Sequence, residues 1–322
     1  MIIRPAVPGA LSLAVVSLSL LSLGLLPLKA AEAEGPGKLI AGIGPAGDTV
    51  EIVGEFKFTE GPAANRDGLV LFADVPTSKV YRVDAGGKSS LFRENSNHTN
   101  GQMFNAAGEI VCCQTGRVAV VSADGKSERV LADQYDGKPF NSPNDLVIDR
   151  AGGVYFTDPS FAAVATSKQG VSGVYYIAPD AKVTRLIDDD VTPNGVNLSP
   201  DEKTLYVIPT LREEMMSYPI TAPGKLGPGR VFCKLAQLEG RNGGGGDGCA
   251  VDSRGNLYIA SGLGVQVFDP QGKALGVIAL AKASNCKFGG PDFKTLYVTA
   301  QTKVYAVPME VAGIRPQGAS AK

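Results

Sequence analysis

Histidine is nearly absent from this chain, since His98 is the only one among 322 residues. Zinc sites favour His and Cys ligands at characteristic spacings, which this sequence does not offer, so zinc fits poorly. A Ser-His-Asp triad would have to use His98, and no Gly-x-Ser-x-Gly elbow is present to hold its serine. Hydrolysis that depends on a histidine is therefore not expected.

A surplus of charge of either sign is also missing. Lys and Arg together number 31 and Asp and Glu number 32, which gives a net charge of −1 at pH 7. Nucleic-acid-binding domains carry a basic patch or stripe, so the composition argues against nucleic acid as a partner. Beyond the N-terminal segment there is no convincing amphipathic helical stretch and no Pro/Ser-rich linker. We therefore expect one all-β domain.

Six similar repeats fill the chain, and each opens on a residue with a side-chain oxygen. The opening residues are Glu60, Asn100, Asn144, Asn194, Asp247 and Asn285. Subtracting successive numbers gives gaps of 40, 44, 50, 53 and 38 residues. A period of ~40–50 residues is typical of one four-stranded propeller blade. The spacing predicts an all-β, six-bladed β-propeller.

Each repeat contains short strands rich in Val and Tyr and bounded by Gly, Asp and Pro, which is typical of antiparallel β-structure. Second strands are predicted at residues 69–75, 109–115, 153–159, 204–210, 256–262 and 295–301. The sixth repeat lacks a fourth strand, whereas a spare strand, residues 49–56, precedes the first opening. We expect this N-terminal strand to complete the last blade and close the ring. A β-sandwich is the alternative fold.

The N-terminus has the features of a secretory signal peptide. Arg4 precedes an uncharged apolar run from Ala10 to Leu26, and Ala31-Glu32-Ala33 offers small residues for cleavage. We therefore expect a signal peptide over residues 1–33 and a single propeller domain over residues 34–322. The mature protein would be exported, periplasmic or secreted, with no membrane association. An uncleaved anchor is the alternative.

The opening residue of each blade begins the innermost strand, so its side chain can face the channel on the axis of the ring. Two carboxylates and four amides that converge there are costly to desolvate unless a cation pairs with them. Oxygen ligands of mixed carboxylate and amide type suit Ca²⁺, which takes ~6–8 oxygens in irregular geometry. The sequence predicts a divalent cation in this channel. The alternatives are a calcium ion that only holds the ring together and a water-filled polar channel.

At these residues the chain resembles a known family, the SMP-30/gluconolactonase/luciferin-regenerating-enzyme propellers. The resemblance covers nearly the whole mature chain, and its motifs occur in the family's order. They are Glu60-Gly61-Pro62, Asn141-Ser142-Pro143-Asn144-Asp145-Leu146, Tyr155-Phe156-Thr157-Asp158-Pro159, Pro193-Asn194-Gly195, and Gly246-Asp247-Gly248 leading into Asn256-Leu257-Tyr258.

The resemblance implies a six-bladed propeller with one catalytic divalent ion, usually calcium, and Mg²⁺, Mn²⁺ or Zn²⁺ as alternatives. Its ligands would be Glu60, Asn144, Asn194 and Asp247. The two remaining amides of the ring, those of Asn100 and Asn285, are expected in the channel rather than on the ion.

The resemblance also implies a hydrolase that opens a small-molecule lactone, with a sugar lactone favoured. The ion would bind the carbonyl oxygen as water adds to the carbon. Asp247, as ligand and base, would accept the proton of the water, and Asp145 is the alternative base. Candidates for substrate binding are Asn144, Asn100 and His98. An organophosphate-type esterase and a non-catalytic propeller that binds a ligand or partner at its channel face remain alternatives.

Two departures from the family pattern leave the substrate open. Many bacterial members have Cys-Glu-His-Gly where this chain has Cys113-Gln114-Thr115-Gly116. The animal branch has an arginine at the position of Ser142. Both positions fall where a sugar substrate would be bound. The proposed metal ligands alone do not identify the substrate.

Overall fold

The computed structural model describes residues 39–84, 86–161, 167–188, 192–240, 244–280 and 282–316. The predicted signal peptide, residues 1–33, lies outside the described residues, and its boundary with the propeller domain stays a prediction. Every secondary-structure element in the described residues is a β-strand, and the first of them is Val50–Glu51 (β1). No helix in the described part of the chain is long and apolar enough to cross a bilayer.

The strands form six blades, one for each repeat. In blades one to three the strands, from the axis outwards, are Thr59–Ala64, Val70–Asp74, Lys79–Val83 and Ser89–Arg93 (β2 to β5); Gln102–Phe104, Ile110–Gln114, Arg117–Val121 and Glu128–Ala132 (β6 to β9); and Leu146–Ile148, Val154–Asp158, Gly173–Ile177 and Val183–Ile187 (β12 to β15). A short hairpin, Gln134–Tyr135 (β10) and Lys138–Pro139 (β11), lies between blades two and three.

Blades four to six repeat the same antiparallel meander. Their strands, from the axis outwards, are Pro193–Leu198, Thr204–Pro209, Glu214–Ala222 and Arg230–Lys234 (β16, β17, β18 and β20); Cys249–Val251, Leu257–Ser261, Gly264–Phe268 and Ala274–Ala279 (β21 to β24); and Asn285–Gly289, Thr295–Ala300, Lys303–Pro308 and Val50–Glu51 (β25, β26, β27 and β1). An extra strand, Lys225–Leu226 (β19), pairs with the end of β18.

The six innermost strands surround one axis. Each contacts the innermost strand of the next blade, in the closed order β2, β6, β12, β16, β21, β25 and back to β2. This confirms the predicted six-bladed propeller, and each predicted second strand agrees with the observed one to within one residue at either end. The β-sandwich alternative is excluded.

The N-terminal strand closes the ring, as predicted, although it is shorter than the expected residues 49–56. Val50 and Glu51 of β1 pair with Ala306 and Tyr305 of β27. Beyond β1 the Ile52 N–H donates to the carbonyl oxygen of Val304 at 2.8 Å. The last blade therefore takes its outermost strand from the other end of the chain.

The inner hairpins are shaped by short polar side chains. In blade one, Asn65 Oδ1 accepts hydrogen bonds from the N–H groups of Asp67 and Leu69, at 3.0 and 2.9 Å. Asn105 and Asp252 form the same turn in blades two and five. An Asn or Asp side chain that caps its own turn in this way fixes where the first strand ends and the second begins.

The core consists of apolar clusters between neighbouring blades. One of them joins Val111 and Val118 of blade two to Phe156 and Tyr175 of blade three, whose rings stack with centroids 5.3 Å apart. All five cysteines are buried and free, so they pack as small apolar side chains. Each blade is thus stabilised by both of its neighbours, and the opening residues are held at fixed positions around the axis.

Candidate active site

The opening residues all lie at one end of the axial channel. Glu60, Asn194 and Asn285 belong to innermost strands, and Asn100, Asn144 and Asp247 come two residues before one. We call this the carboxylate end, defined by the acidic side chains of Glu60, Asp145 and Asp247. The innermost strands run from there to the inner hairpin turns, which form the opposite end, here called the turn end.

Hydrogen bonds link every pair of neighbouring blades at the carboxylate end. Going around the ring, they join Gln102 Nε2 to Gly61 O (3.0 Å), Gly101 N to Asn144 O (2.7 Å), Thr157 Oγ1 to Asn194 O (2.6 Å), Gly195 N to Asp247 O (3.0 Å), Gly248 N to Ser284 O (2.7 Å) and Ser284 Oγ to Thr59 O (2.8 Å). The backbone that carries the opening side chains is therefore fixed from blade to blade. Such a fixed backbone is what a preorganised site requires.

Two glycines allow this close approach. A Cβ atom on Gly195 would lie 2.4 Å from the carbonyl oxygen of Asp247, and one on Gly248 would lie 1.9 Å from Cγ of Asn285. Both distances are far shorter than van der Waals contact. The glycine that follows an opening residue is therefore needed because the next blade packs directly against it.

The Tyr155-to-Pro159 motif positions the third opening. Thr157 Oγ1 accepts a hydrogen bond from the Asp145 N–H at 3.0 Å. The Asp158 carboxylate accepts bonds from the N–H groups of Asn141 and Ser142, at 2.9 and 2.7 Å. Burial raises the pKa of Asp158 to about 6, against the effect of these two bonds. Sequence analysis gave no individual role to Thr157 or Asp158. In the structure, both residues hold the loop that carries Asn144.

The charged form of Glu60 is strongly disfavoured in this site. Its side chain is only 4% exposed. Burial, and then the charges of Asp247 and Asp145, raise its pKa well above the usual value, although hydrogen bonds from the Gly61 N–H and the Asn285 side chain oppose the shift. The structure thus brings the acidic side chains of three blades close enough to repel one another.

Asp247 differs from Glu60 in being partly exposed as a residue. Burial of its carboxylate, followed by the charge of Asp145, raises its pKa to about 7, and a hydrogen bond from the Asn194 side chain opposes this shift. The Asn194 amide also donates to Thr210 Oγ1 at 3.3 Å. Two of the predicted ligands, Asn194 and Asp247, are therefore neighbours in adjacent blades.

Asp145 is held more firmly than Asp247. It is 8% exposed, and its Oδ1 accepts a hydrogen bond from the Leu146 N–H at 2.9 Å. Burial raises its pKa to about 6, while hydrogen bonds and the charge of Lys287 lower it. Lys287 belongs to blade six, opposite blade three in the ring, and sequence analysis missed it. A single lysine in the short inner strand Asn285–Gly289 was the signal that could have revealed it.

Of the remaining residues predicted to bind substrate, Asn100 lies inside the ring and His98 lies outside it. Asn100 Oδ1 is buried and has no hydrogen-bond partner among the described residues. His98 is exposed, and its Nδ1 lies 2.9 Å from the carbonyl oxygen of Val75, in the turn between β3 and β4. The structure therefore places Asn100 in the ring and His98 against the neighbouring turn of blade one.

The chemistry of these groups fits a hard divalent cation. Three carboxylates face one ammonium group, so the site is short of positive charge, and the buried Asn100 oxygen lacks a donor. Among the described residues no three His, Cys, Asp or Glu side chains are arranged to hold a metal by themselves. Amide oxygens would have to complete the coordination, and such mixed oxygen ligands suit Ca²⁺.

Comparison with known proteins identifies one family over most of the propeller. Residues 58–302 match the model of the SMP-30/Gluconolactonase/LRE-like region. Gluconolactonase of Zymomonas mobilis is 29% identical over 291 residues, which cover 81% of each chain. Lactonase drp35 of Staphylococcus saprophyticus is 31% identical over 233 residues, 69% of each chain.

A solved structure agrees with these sequence relatives. The gluconolactonase of Xanthomonas campestris superposes with a TM-score of 0.77 and is 29% identical. The match covers 85% of this chain and 95% of that one. The similarity therefore extends over the entire ring of blades rather than over one repeat.

Proposed function

Because the chain belongs to the SMP-30/gluconolactonase/LRE-like family, we propose that it is a calcium-dependent hydrolase that opens a lactone, with a sugar lactone as the favoured substrate. The single observation that carries the proposal is electrostatic: the charges of Asp247 and Asp145 raise the pKa of Glu60, and that of Asp145 raises the pKa of Asp247, although the three residues belong to different blades. The names of the gluconolactonase and lactonase relatives support the same reaction.

Glu60, Asn144, Asn194 and Asp247 are the residues that would hold the calcium ion. When bound, the ion would supply positive charge that polarises the lactone carbonyl group. The chain supplies two carboxylates and two amide oxygens, and the glycines beside them keep the blades close together. Mg²⁺ and Mn²⁺ share the preference for oxygen and are the alternatives to test first.

Asp247 is the base that we assign. The reaction adds water to the carbonyl carbon, breaks the bond from that carbon to the ring oxygen, and transfers one proton of the water to the departing oxygen. The Asp247 residue is partly exposed, unlike the buried Glu60 and Asp145, which favours it as the group that a water molecule approaches. Asp145 is less suited to this step, because its carboxylate already accepts the Leu146 N–H and faces Lys287. A positioned general base contributes roughly 10²–10⁴-fold to rate.

Asn100 and Asn144 are the groups that we assign to substrate orientation. A sugar lactone carries several hydroxyl groups, and the unpartnered Oδ1 of Asn100 can accept a hydrogen bond from one of them. Such bonds give a site its discrimination between substrates, because a buried polar group left unpaired is costly. The role of His98 in binding stays a prediction, since its ring lies against the turn of blade one.

The test is a pH-indicator assay of acid release from gluconolactone and a panel of other lactones, with calcium and with EDTA. We expect turnover of at least one sugar lactone that EDTA abolishes and that calcium restores better than magnesium or manganese. Asp247→Ala should remove turnover without loss of fold, whereas Asp48→Ala, on the exposed surface, should not change it. Turnover that persists in EDTA and in Asp247→Ala would contradict the proposal. A folded protein that hydrolyses nothing in the panel would favour the non-catalytic binding propeller.

Export is a further part of the proposal. It rests on Arg4 and the apolar run from Ala10 to Leu26. N-terminal sequencing of the protein recovered from the periplasm or medium should begin just after Ala33. An intact N-terminus on membrane-bound protein would support the anchor instead.

A further inference from the structure

A cavity lies at the turn end of the channel, and Lys287 is the residue that it shares with the candidate active site. Its volume is about 640 Å³, within the range of ~300–1,000 Å³ typical of small-molecule sites. The inner hairpin turns of blades two, three and four border it, together with residues 314–316. The proposed hydrolysis takes place at the carboxylate end and does not use this cavity.

The walls of this turn-end cavity contain both polar and apolar segments, and the apolar ones are continuous enough to take a hydrocarbon chain. Side chains from five of the blades and from the segment after β27 form them. They include Met103, Val147, Ile148, Leu198, Phe288 and Ile314. Surfaces of this kind favour a ligand with a hydrocarbon body, because burial of apolar area stabilises the complex by roughly 25 cal/mol per Å².

Lys287 forms part of the inner wall of the cavity. It follows Asn285 by two residues on β25, so it lies on the same face of the strand, roughly 6–7 Å farther from the carboxylate end. No ion pair or hydrogen bond of its ammonium group is found among the described residues, and the carboxylate whose charge acts on it is that of Asp145. Burial lowers the pKa of Lys287, which means that the surrounding groups do not fully compensate for its lost hydration.

Arg315 is a second cation of the cavity without an acidic partner among the described residues. Its guanidinium donates to the carbonyl oxygens of Arg66 and Pro291 and lies 4.5 Å from the centre of the Phe293 ring. These contacts fix its position but leave its charge unneutralised. By contrast, Arg150 pairs with Glu202.

The other charges of the cavity are already engaged. Arg129 pairs with Glu109 at 3.2 Å. The Asp149 carboxylate accepts hydrogen bonds from the Tyr176 hydroxyl and the Gly153 N–H, at 2.9 and 2.8 Å. The cavity thus combines apolar wall segments with two cations that have no ion pair among the described residues, Lys287 inside and Arg315 at its border, while Asp149 keeps its negative charge.

We propose that the turn-end cavity binds an amphiphilic organic carboxylate, with its head group at Lys287 and its hydrocarbon body along the apolar wall. A neutral ligand of the same shape would give the ammonium group no charged partner within the cavity. A small inorganic anion would leave the wall exposed to water. The combination of cation and apolar surface selects a molecule that has both features, and Arg315 adds to the attraction.

The direct test is isothermal titration calorimetry of the full-length protein with octanoate, octan-1-ol and inorganic phosphate as probes. We expect octanoate to bind at one site per chain and the other two probes to bind at least tenfold more weakly. Lys287→Met should weaken octanoate binding tenfold or more, as expected when a hydrogen bond to a charged group is lost. Arg315→Gln should weaken it several-fold.

Control variants distinguish the loss of a positive charge in the cavity from a general effect of substitution on the fold. Lys273→Met and Arg82→Gln remove one exposed cation each from the outside of the ring and should leave octanoate binding unchanged. Ile314→Asp places a carboxylate on an exposed part of the wall and should also abolish binding, which keeps the test decisive if Lys287→Met does not fold. Absent octanoate binding, or equal affinity in wild type and Ile314→Asp, would overturn the proposal and leave a cavity filled with water.

Independence from the proposed hydrolysis is tested in the same titration. Octanoate should bind equally well to Asp247→Ala and in the presence of EDTA, because neither change touches the turn end. Loss of binding under both conditions would place octanoate at the carboxylate end and overturn the proposal. Failure to hydrolyse lactones would leave this binding site unaffected.

Discussion

The two ends of the axial channel are built by the same six strands, yet they differ in almost every property. At the carboxylate end, backbone groups of neighbouring blades are hydrogen-bonded directly, as Gly195 N is to Asp247 O. At the turn end each hairpin closes on itself through a side chain such as Asn65. The first end carries three carboxylates, and the second combines apolar side chains with charged residues of both signs. Neighbouring turns are also linked, by bonds such as Gly290 N to Gly68 O (2.9 Å) and Arg150 N to Glu202 Oε2 (3.1 Å), so the two ends differ mainly in the chemistry of their side chains.

The largest expected effect concerns the base at the carboxylate end. Asp247→Asn preserves the shape of the side chain but cannot take a proton, so kcat should fall roughly 10³-fold. Stopped-flow measurement of acid release from the best lactone measures this directly. Arg82→Gln, on the outer surface, is the control. If Asp145→Asn lowers kcat more than Asp247→Asn does while calcium affinity is unchanged, the assignment of the base is reversed.

The next effect tests the close approach of the blades. Gly195→Ala would place Cβ 2.4 Å from the Asp247 carbonyl oxygen, so blades four and five must separate. We expect a loss of about 3 kcal/mol in the free energy of unfolding, as for other overpacked sites. Gly47→Ala is the matched control, since its nearest contact is an ordinary 3.8 Å to Pro308. Urea unfolding curves that coincide for the two variants would contradict this account of the ring.

Calcium should stabilise the protein through the same end. With free calcium at 100 times its dissociation constant, linkage predicts about 2.7 kcal/mol of added stability. Glu60→Gln removes one of the two carboxylates proposed as ligands, so the calcium-dependent rise in Tm should shrink or disappear. Lys287→Met should keep that rise, because it leaves all proposed ligands in place. An identical calcium response in wild type and Glu60→Gln would remove Glu60 from the site.

The smallest effect is a pH dependence of stability due to Asp158. Burial raises its pKa to about 6 in the folded protein, above the usual value of about 4 in the unfolded chain. The folded state therefore holds this proton more tightly, and the stabilisation is present at low pH and lost as pH rises through about 6. A pKa difference of about 2 corresponds to at most about 2.7 kcal/mol.

Asp158→Asn should flatten this part of the pH profile of unfolding, measured between about pH 4 and pH 7 with calcium present. The variant is expected to be less stable than wild type at the acidic end and closer to it at the neutral end. Asp269→Asn, in an exposed turn, is the control and should keep the wild-type slope. If the free energy of unfolding changes with pH equally in wild type and in Asp158→Asn, Asp158 does not cause this pH dependence.

The sequence was sufficient to predict the fold because each repeat carries its own local signals. The strand predicted at residues 204–210 is observed as Thr204–Pro209, since turn residues bound it on both sides. The N-terminal strand was predicted too long because only two of its residues find partners on β27. The hairpin of β10 and β11 was missed, since two-residue strands leave no detectable alternation.

The candidate site was predicted less completely, because several of its features depend on pairs of residues far apart in the chain. Repetition indicated that the six opening residues would meet. It could not indicate that Asp145 and Lys287, from opposite blades, would interact across the channel. Nor could it distinguish the partly exposed Asp247 from the enclosed Asp145, because exposure is determined by the assembled ring.

Closure of the ring by β1 carries a consequence for how the protein is made. The Glu51 carboxylate meets the Lys303 ammonium group at 2.8 Å across 252 residues of chain. During synthesis, β1 leaves the ribosome first and must wait for β27 before it can pair. Individual blades can form early from local contacts, but the complete circle can exist only after nearly every residue of the propeller has emerged. A translational pause or truncation before β27 should therefore yield a chain with exposed strand edges, the type of intermediate that chaperones capture.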